Sequence, residues 1–476
     1  MNLKRIKHSL KEKVGIQIRR KTLAAGVGYT TSNLLLKGVA FLSIPIFTRL
    51  LTPADFGLYS VFVSYESILF LFVGLCLHSS IKAANVEFRL KIEEYVSSIL
   101  LLVFLTSFLF YMLSVIFRKQ IFGLTGFSTS IILLMVSQAV SSAILAIYNN
   151  KISLNYDYKL YLSISAFSAI GNVIFSIVLI LTIFKDAPYL GRIVGTVLPV
   201  CFVALYIVYK QFEKSKPAVN KNYWKFGFFY SLPIIPHGFS QVILAQFNRI
   251  MIQNMVGNAE TGLFSFAFTI AMIPQIIATS LDTAWGPWFF ERYRNKEFST
   301  ISHRANQYVV SFSILIVAIS AISPEIIRLM APKVYWGAVQ IVIPAILGIY
   351  FTFLYYLPAS IEYYEKKTVY IAVGTVLSGI INVVLTYFAI KQFSYIYSAH
   401  ATLIAYAANF GFHCLIAKRI VGNLPYNMRK IFMFIALTLV ASTIINFTIY
   451  SFILRTMIFI IFTALLLGLE LFVVKK

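Results

Sequence analysis

A few ionisable side chains stand where the sequence offers them no water. Lys37 is at the middle of the apolar run 26–48, Glu66 about nine residues into 58–81, His237 midway along 227–248, and Asp282 near the inner end of 262–285. A charge inside a bilayer-spanning segment costs about 2.5–3.5 kcal/mol on insertion scales, so each is a functional hypothesis by default. Lysine in a low-dielectric cavity attracts a phosphate as a point charge; Lys37 either does this or pairs with a buried acid such as Glu66. A buried carboxylate holds or exchanges a cation unless a base answers it. That makes Glu66 a candidate for ion coupling, and Asp282 either a gate or coupling residue or a solvated mouth residue beside Trp285, Pro287 and Trp288. Arg49, Arg192 and Arg249 stand at the ends of apolar runs. Their guanidinium forks match a phosphate bidentately, or else they anchor the runs at the interface. Pro233 and Pro236 remove backbone donors and should kink the helix around them, a candidate hinge. His237 beside them is either a substrate contact or a hydrogen-bonded packing residue. Asn172 and Asn382 read as interhelical hydrogen bonds, and Glu93, Glu94, Glu362 and Glu365 as a solvated face.

The elements that position these residues follow from composition. Of 476 residues, 59% are hydrophobic and 12% charged; mean hydropathy is +0.81. A soluble domain carries about 25% charged residues, so lipid must be the solvent. The fold class is all-α integral membrane. The apolar runs number about 14 at roughly 20 residues per crossing, with tight hairpins at Arg455 and near Lys391–Phe393. The formal net charge is +24. In a soluble chain it would suggest nucleic acid; here Lys and Arg concentrate in alternate loops by about three to one, which orients the chain N-in and C-in. The basic segment 1–24 reads as lying on anionic lipid. Cys76, Cys201 and Cys414 are far apart, without metal-ligand spacing. Phosphate-loop, His-Glu-x-x-His and Gly-x-Ser-x-Gly motifs are all missing from the sequence, and no metal or organic cofactor is expected. The expectation is not an enzyme but a transporter.

An internal repeat organises the runs. Gly57-Leu58-Tyr59-Ser60 and Gly262-Leu263-Phe264-Ser265 each follow a span ending in arginine, Arg49 or Arg249. Asn172-Val173-Ile174 is matched by Asn382-Val383-Val384, and Tyr189 and Thr196 by Tyr395 and Thr402, at nearly the same offset. The expected organisation is a basic cytoplasmic tail (1–24), a six-helix bundle (25–210), a basic linker (211–226), a second six-helix bundle (227–418) in parallel orientation about an axis along the membrane normal, and two further helices (430–476). Paired bundles of this type place substrate near the midplane and work by rocking.

Several stretches resemble a known family. They are Arg49-Leu50-Leu51-Thr52-Pro53-Ala54-Asp55-Phe56-Gly57-Leu58-Tyr59-Ser60; Ser231-Leu232-Pro233 with Pro236-His237 and Asn248-Arg249-Ile250-Met251; Ser323-Pro324-Glu325 with Tyr335-Trp336-Gly337-Ala338; and Ala401-Thr402-Leu403-Ile404-Ala405-Tyr406. From about residue 25 to 420 the chain resembles the Wzx-type O-antigen and polysaccharide repeat-unit flippases, in the multidrug/oligosaccharidyl-lipid/polysaccharide exporter superfamily. The resemblance implies a bacterial inner-membrane flippase for an undecaprenyl-diphosphate-linked oligosaccharide, driven by an H⁺ or Na⁺ gradient, with a cationic cavity. Its implied partners are that lipid-linked oligosaccharide, membrane lipid, and polysaccharide polymerase and assembly proteins, with no nucleic acid. The residue before the span-7 arginine is often Asp in relatives. Here it is Asn248, so any coupling carboxylate must lie elsewhere. The alternatives are a cation-coupled multidrug exporter and a peptidoglycan-precursor flippase of the same superfamily.

Overall fold

The computed structural model describes residues 26, 28–29, 31–33 and 35–474. The basic segment 1–24 and Lys475 lie outside them. Among the described residues there are helices and turns and no strand. The helices are α1 (Thr31–Leu50), α2 (Pro53–Val73), α3 (Ile81–Glu87), α4 (Ile92–Ile116), α5 (Arg118–Thr125), α6 (Thr129–Leu154), α7 (Tyr158–Thr182), α8 (Pro188–Lys214), α9 (Lys221–Ser231), α10 (Ile234–Met255), α11 (Asn258–Arg294), α12 (Phe298–Met330), α13 (Val339–Tyr364), α14 (Thr368–Gln392), α15 (Ser398–Val421), α16 (Met428–Phe447) and α17 (Phe452–Val474).

Twelve of them are long and apolar enough to cross a membrane, and the bent pair α9/α10 raises the number to 13. The difference from about 14 is α15. At 24 residues it is about 36 Å long, enough to span. It falls short in hydropathy because Thr402, Asn409 and His413 are polar, and these residues are buried where α15 packs on α13 and α14. The run 58–81 also behaves differently from a single span. Its helix stops at Val73; Leu75 and Cys76 take left-handed backbone conformations, and a short turn leads into α3.

The chain forms two compact units. The first holds the described residues up to Ile44 and Tyr65–Phe239; the second holds Pro45–Ser64 and Ser240 onward. Three helices, α1, α2 and α10, are therefore divided between units. In the first unit α6 packs on α4 and α8, and α7 lies along α8. Burial of Val73, Tyr95, Ile99, Val103, Ala139 and Ala143 makes its core. Gly195 lies against the Ser176 backbone, which lets α7 and α8 approach closely. In the second unit α13 is the central helix, packed on α11, α12 and α15. Phe312 stacks on Phe353 at 4.1 Å, and the Trp285 indole donates to Ser360 Oγ at 3.0 Å.

Arg455 is not a hairpin residue. The turn lies at Thr448–Ser451, and Arg455 is inside α17, buried. Its two guanidinium nitrogens donate to the two Glu325 oxygens at 2.7 Å each, and a further bond reaches the Ala321 carbonyl. A bidentate carboxylate makes this position tolerable inside a helix.

The two repeat glycines meet within the second unit. A Cβ on Gly57 would come 1.9 Å from the Asn258 carbonyl oxygen, and one on Gly262 would come 1.8 Å from that of Pro53. Each glycine therefore rests on the first-turn backbone of the other helix. Gly57→Ala or Gly262→Ala must push α2 and α11 apart. We expect either to cost about 1–3 kcal/mol through overpacking, read as a lowered thermal midpoint in detergent. An unchanged midpoint for both variants would refute the contact.

Candidate functional site

Arg49 and Arg249 share their local geometry. Arg49 Nη1 donates to the Pro45 carbonyl at 2.7 Å, and Arg249 Nη1 to the Ala245 carbonyl at 2.6 Å, each four residues back on its own helix. Their remaining donors diverge. Arg49 Nη2 donates to the Leu329 carbonyl at 3.1 Å, and Thr48 Oγ1 donates to the Met330 carbonyl at 2.6 Å. These bonds close the C-terminal end of α12, whose last carbonyls lack intrahelical partners. Arg49 is thus occupied in positioning. Arg249 uses Nη1 again for Gln246 Oε1 at 2.8 Å and lies over the Phe268 ring at 5.8 Å. Among the described residues its Nη2 and Nε make no hydrogen bond, and no acid pairs with it.

A row of polar and aromatic groups continues from Arg249 across the second unit. Tyr406 of α15 is within electrostatic reach of Arg249 and of Tyr356 on α13. Tyr356 lies beside Gln275 of α11 and feels the charge of Asp282, as do Tyr355 and Tyr363. Two seven-residue spacings align this row. Gln275 and Asp282 share one face of α11, and Tyr356 and Tyr363 share the facing side of α13. Asp282 is half-buried and forms no ion pair among the described residues. The second unit therefore carries a guanidinium with free donors, a run of tyrosines, and a carboxylate without a base. Such a surface can hold an anion at one place and polar, ring-shaped groups beside it.

Asn248, next to Arg249, has a different role. Its Nδ2 donates to Thr402 Oγ1 at 2.7 Å, and its Oδ1 accepts from Asn382 Nδ2 at 2.9 Å and Thr386 Oγ1 at 3.2 Å. The network is neutral and buried. It ties α10 to α14 and α15 and fixes the turn of helix from which Arg249 projects.

The other candidates belong to the first unit. Arg192 Nη1 donates to Asn172 Oδ1 at 2.5 Å and to Ser176 Oγ at 2.9 Å, so it joins α8 to α7. Glu66 accepts from Ser142 Oγ at 3.0 Å and is half-buried. Lys37 is also half-buried, and no ion pair among the described residues joins it to Glu66, so the paired-acid alternative has no geometric support. Pro233 lies in the break between α9 and α10, where the chain bends by 48°, and Pro236 falls in the first turn of α10. His237 follows with its Nδ1 buried and unbonded.

Two acids taken for a solvated face are structural or buried. Glu93 bonds Lys151 Nζ, which also donates to Gln211 Oε1 at 2.6 Å. Glu362 is fully buried against His413, also fully buried, at 2.7 Å between Oε1 and Nδ1. The aligned seven-residue spacings on α11 and α13 were the signal available for Tyr356 and Tyr363. Glu362 and His413 offered none.

Comparison with known proteins agrees with this architecture. The chain is 25% identical to an uncharacterized membrane protein of Haemophilus influenzae over 369 residues, covering 74% of this chain and 86% of that protein. Its fold is similar to the lipid II flippase MurJ in an inward closed conformation, with a TM-score of 0.70 at 15% identity, covering 94% and 99% of the two chains. It is also similar to an inward-facing multidrug resistance MATE family transporter of the MOP superfamily, with a TM-score of 0.66 at 13% identity, covering 81% and 96%. The chain is a multi-pass membrane protein of a transporter fold. Residues 23–293, more than half of it, match the model of the polysaccharide biosynthesis protein family, and the chain belongs to that family.

Proposed function

We propose that this protein is a flippase that moves an undecaprenyl-diphosphate-linked oligosaccharide repeat unit, of O-antigen or a similar surface polysaccharide, across the bacterial inner membrane. It works by alternating access driven by an ion gradient, with both termini in the cytoplasm. The observation that carries the reading is Arg249: a guanidinium with two unused donor positions and no acid, beside a row of tyrosines, in a chain of the polysaccharide biosynthesis family. The fork receives a diphosphate oxygen pair, and the rings of Tyr406 and Tyr356 supply flat faces to sugars. Within the first unit Lys37 is a separate cationic candidate, and the break at Pro233 and Pro236 is the hinge.

Deleting the gene in its host and analysing membrane lipids tests this. Accumulation of one complete diphosphate-linked repeat unit, with loss of surface polymer, is the expected result. Intact polymer and no accumulated intermediate would reject it. One observation favours a second reading, export of organic cations. Asp282 lacks a base and lies among Tyr355, Tyr356 and Tyr363, and a carboxylate framed by aromatic rings suits a cation. New sensitivity to cationic drugs with polymer unchanged would be its signature.

A further inference from the structure

Glu362 and His413 are the most enclosed ionisable pair in the second unit. Both side chains are fully buried, with 2.7 Å between Glu362 Oε1 and His413 Nδ1. The far atom of each, Glu362 Oε2 and His413 Nε2, is also buried and meets no hydrogen-bond partner. A pair built only to hold α13 to α15 would have both ends satisfied, since an orphaned buried polar atom costs about 1–3 kcal/mol. Two orphans on one pair mark spare capacity. With the carboxylate ionised, Nδ1–H donates to Oε1, the pair carries one negative charge, and Oε2 and Nε2 each present an unused lone pair. One proton added at either atom cancels that charge without moving a heavy atom.

The surroundings suit a proton and little else. Gly374 of α14 packs so closely that a Cβ there would come 2.4 Å from His413 Nε2. The Tyr355 ring lies edge-on to the imidazole at 4.7 Å, and Phe412 closes another side at 5.2 Å. Among the described residues no group of three or more His, Cys, Asp or Glu forms a metal site. The titratable neighbours are few. On α13 they are Tyr355 and Tyr363, on α15 Cys414, and both tyrosines and the thiol feel the Glu362 charge. From α11, Asp282 reaches the same two tyrosines. α14 contributes Gly374 and no titratable group to the contact. Tyr355 and Tyr363 lie within electrostatic reach of each other, and Tyr363 is exposed. Tyr363 and Tyr355 are thus the hydroxyl groups within electrostatic reach of the buried pair.

We propose that Glu362 and His413 form a proton-binding site inside the second unit, loaded by way of Tyr363 and Tyr355, and that the transport cycle draws on this proton. The second clause rests on the flippase reading; the first does not. One proton enters from water, resides on the pair, and leaves by way of the same tyrosines, so the balance is closed without another reactant.

The test uses the full chain purified in lipid nanodiscs. A pH jump from about 8 to about 5 spans imidazole titration, with proton uptake read by an indicator dye and the carboxyl stretch read by infrared difference spectroscopy. Wild type should bind on the order of one proton per chain more than Glu362→Gln or His413→Gln, because either change removes one half of the hydrogen-bonded pair. Glu365→Gln, altered at a neighbouring exposed acid, should match wild type. If Glu362→Gln does not stay monodisperse, His413→Gln and Gly374→Ala, which displaces the imidazole, carry the comparison. Equal uptake by wild type and the monodisperse pair variants overturns the site. Loss of uptake in the variants, together with loss of the pH-gradient response in vesicles loaded with lipid-linked oligosaccharide, supports both clauses. Loss of uptake in a protein that moves no such lipid in wild-type form supports the site and rejects the flippase reading.

Discussion

Replacing Arg249 with alanine is expected to reduce oligosaccharide translocation by about ten- to a hundredfold, with the protein still present in the membrane at wild-type level. The magnitude follows from a hydrogen bond to a charged group, worth about 1.5–3 kcal/mol. The direction follows from geometry. Arg249 spends one nitrogen on Ala245 and Gln246 and keeps the rest of its fork free, so its removal takes more from a bound anion than from the fold. Arg249→Lys should recover part of the activity, because an ammonium keeps the charge but loses the planar fork. Arg49→Ala gives the contrast. Its donors hold α12 through Leu329, so its loss should lower stability more than transport. The measurement is polysaccharide display in a deletion strain, with protein level as control. Normal display by Arg249→Ala would remove this residue from the substrate site.

The largest stability effect is expected from Glu325→Ala. Arg455 is 2% exposed and Glu325 38%. Removing the acid leaves a buried guanidinium bonded only to the Ala321 and Ser451 carbonyls. Breaking a buried pair from one side costs about 3–5 kcal/mol, and the partial exposure of Glu325 sets the expectation at about 3. Thermal unfolding in detergent should show α17 releasing first. The double variant Glu325→Ala with Arg455→Met should recover much of the loss, since it leaves no uncompensated buried charge. Equal midpoints for the single and double variants would show that the ion pair does not hold α17.

Much of this arrangement was legible in the sequence, and the illegible part has a physical pattern. Gly57 and Gly262 stand out in the sequence because each opens a Gly-Leu-aromatic-Ser stretch after a run ending in arginine, and the structure places the two in contact. Asn382 was visible as a polar residue in an apolar run, which a membrane tolerates only with a partner; that partner is Asn248. Where sequence reading failed, the deciding partner was distant in the chain or hidden by neighbours. Glu362 stands beside Tyr363, Glu365, Lys366 and Lys367, a local pattern that suggests solvent. One step around the helix turns its carboxylate inward, toward a histidine 51 residues away. Arg455 followed the same rule. Its apolar neighbours made it the obvious break between two runs, and only Glu325, 130 residues earlier, makes it a helix residue. Tyr356 and Tyr406 were two among 29 tyrosines; what distinguishes them is the charge each one faces.

The meeting of Gly57 and Gly262 has a mechanical consequence. Helices that interdigitate side chain into groove resist turning against one another, because each ridge must climb out of its hole. At this crossing there is neither ridge nor hole. Two main chains bear on each other at one point, held by short-range dispersion and by contacts of the Cα–H to carbonyl type, worth about 0.5–1 kcal/mol each. At the two glycines a small swivel of α2 over α11 therefore slides main chain on main chain. Within the second unit, α2 and α11 touch through something closer to a bearing than to a clamp.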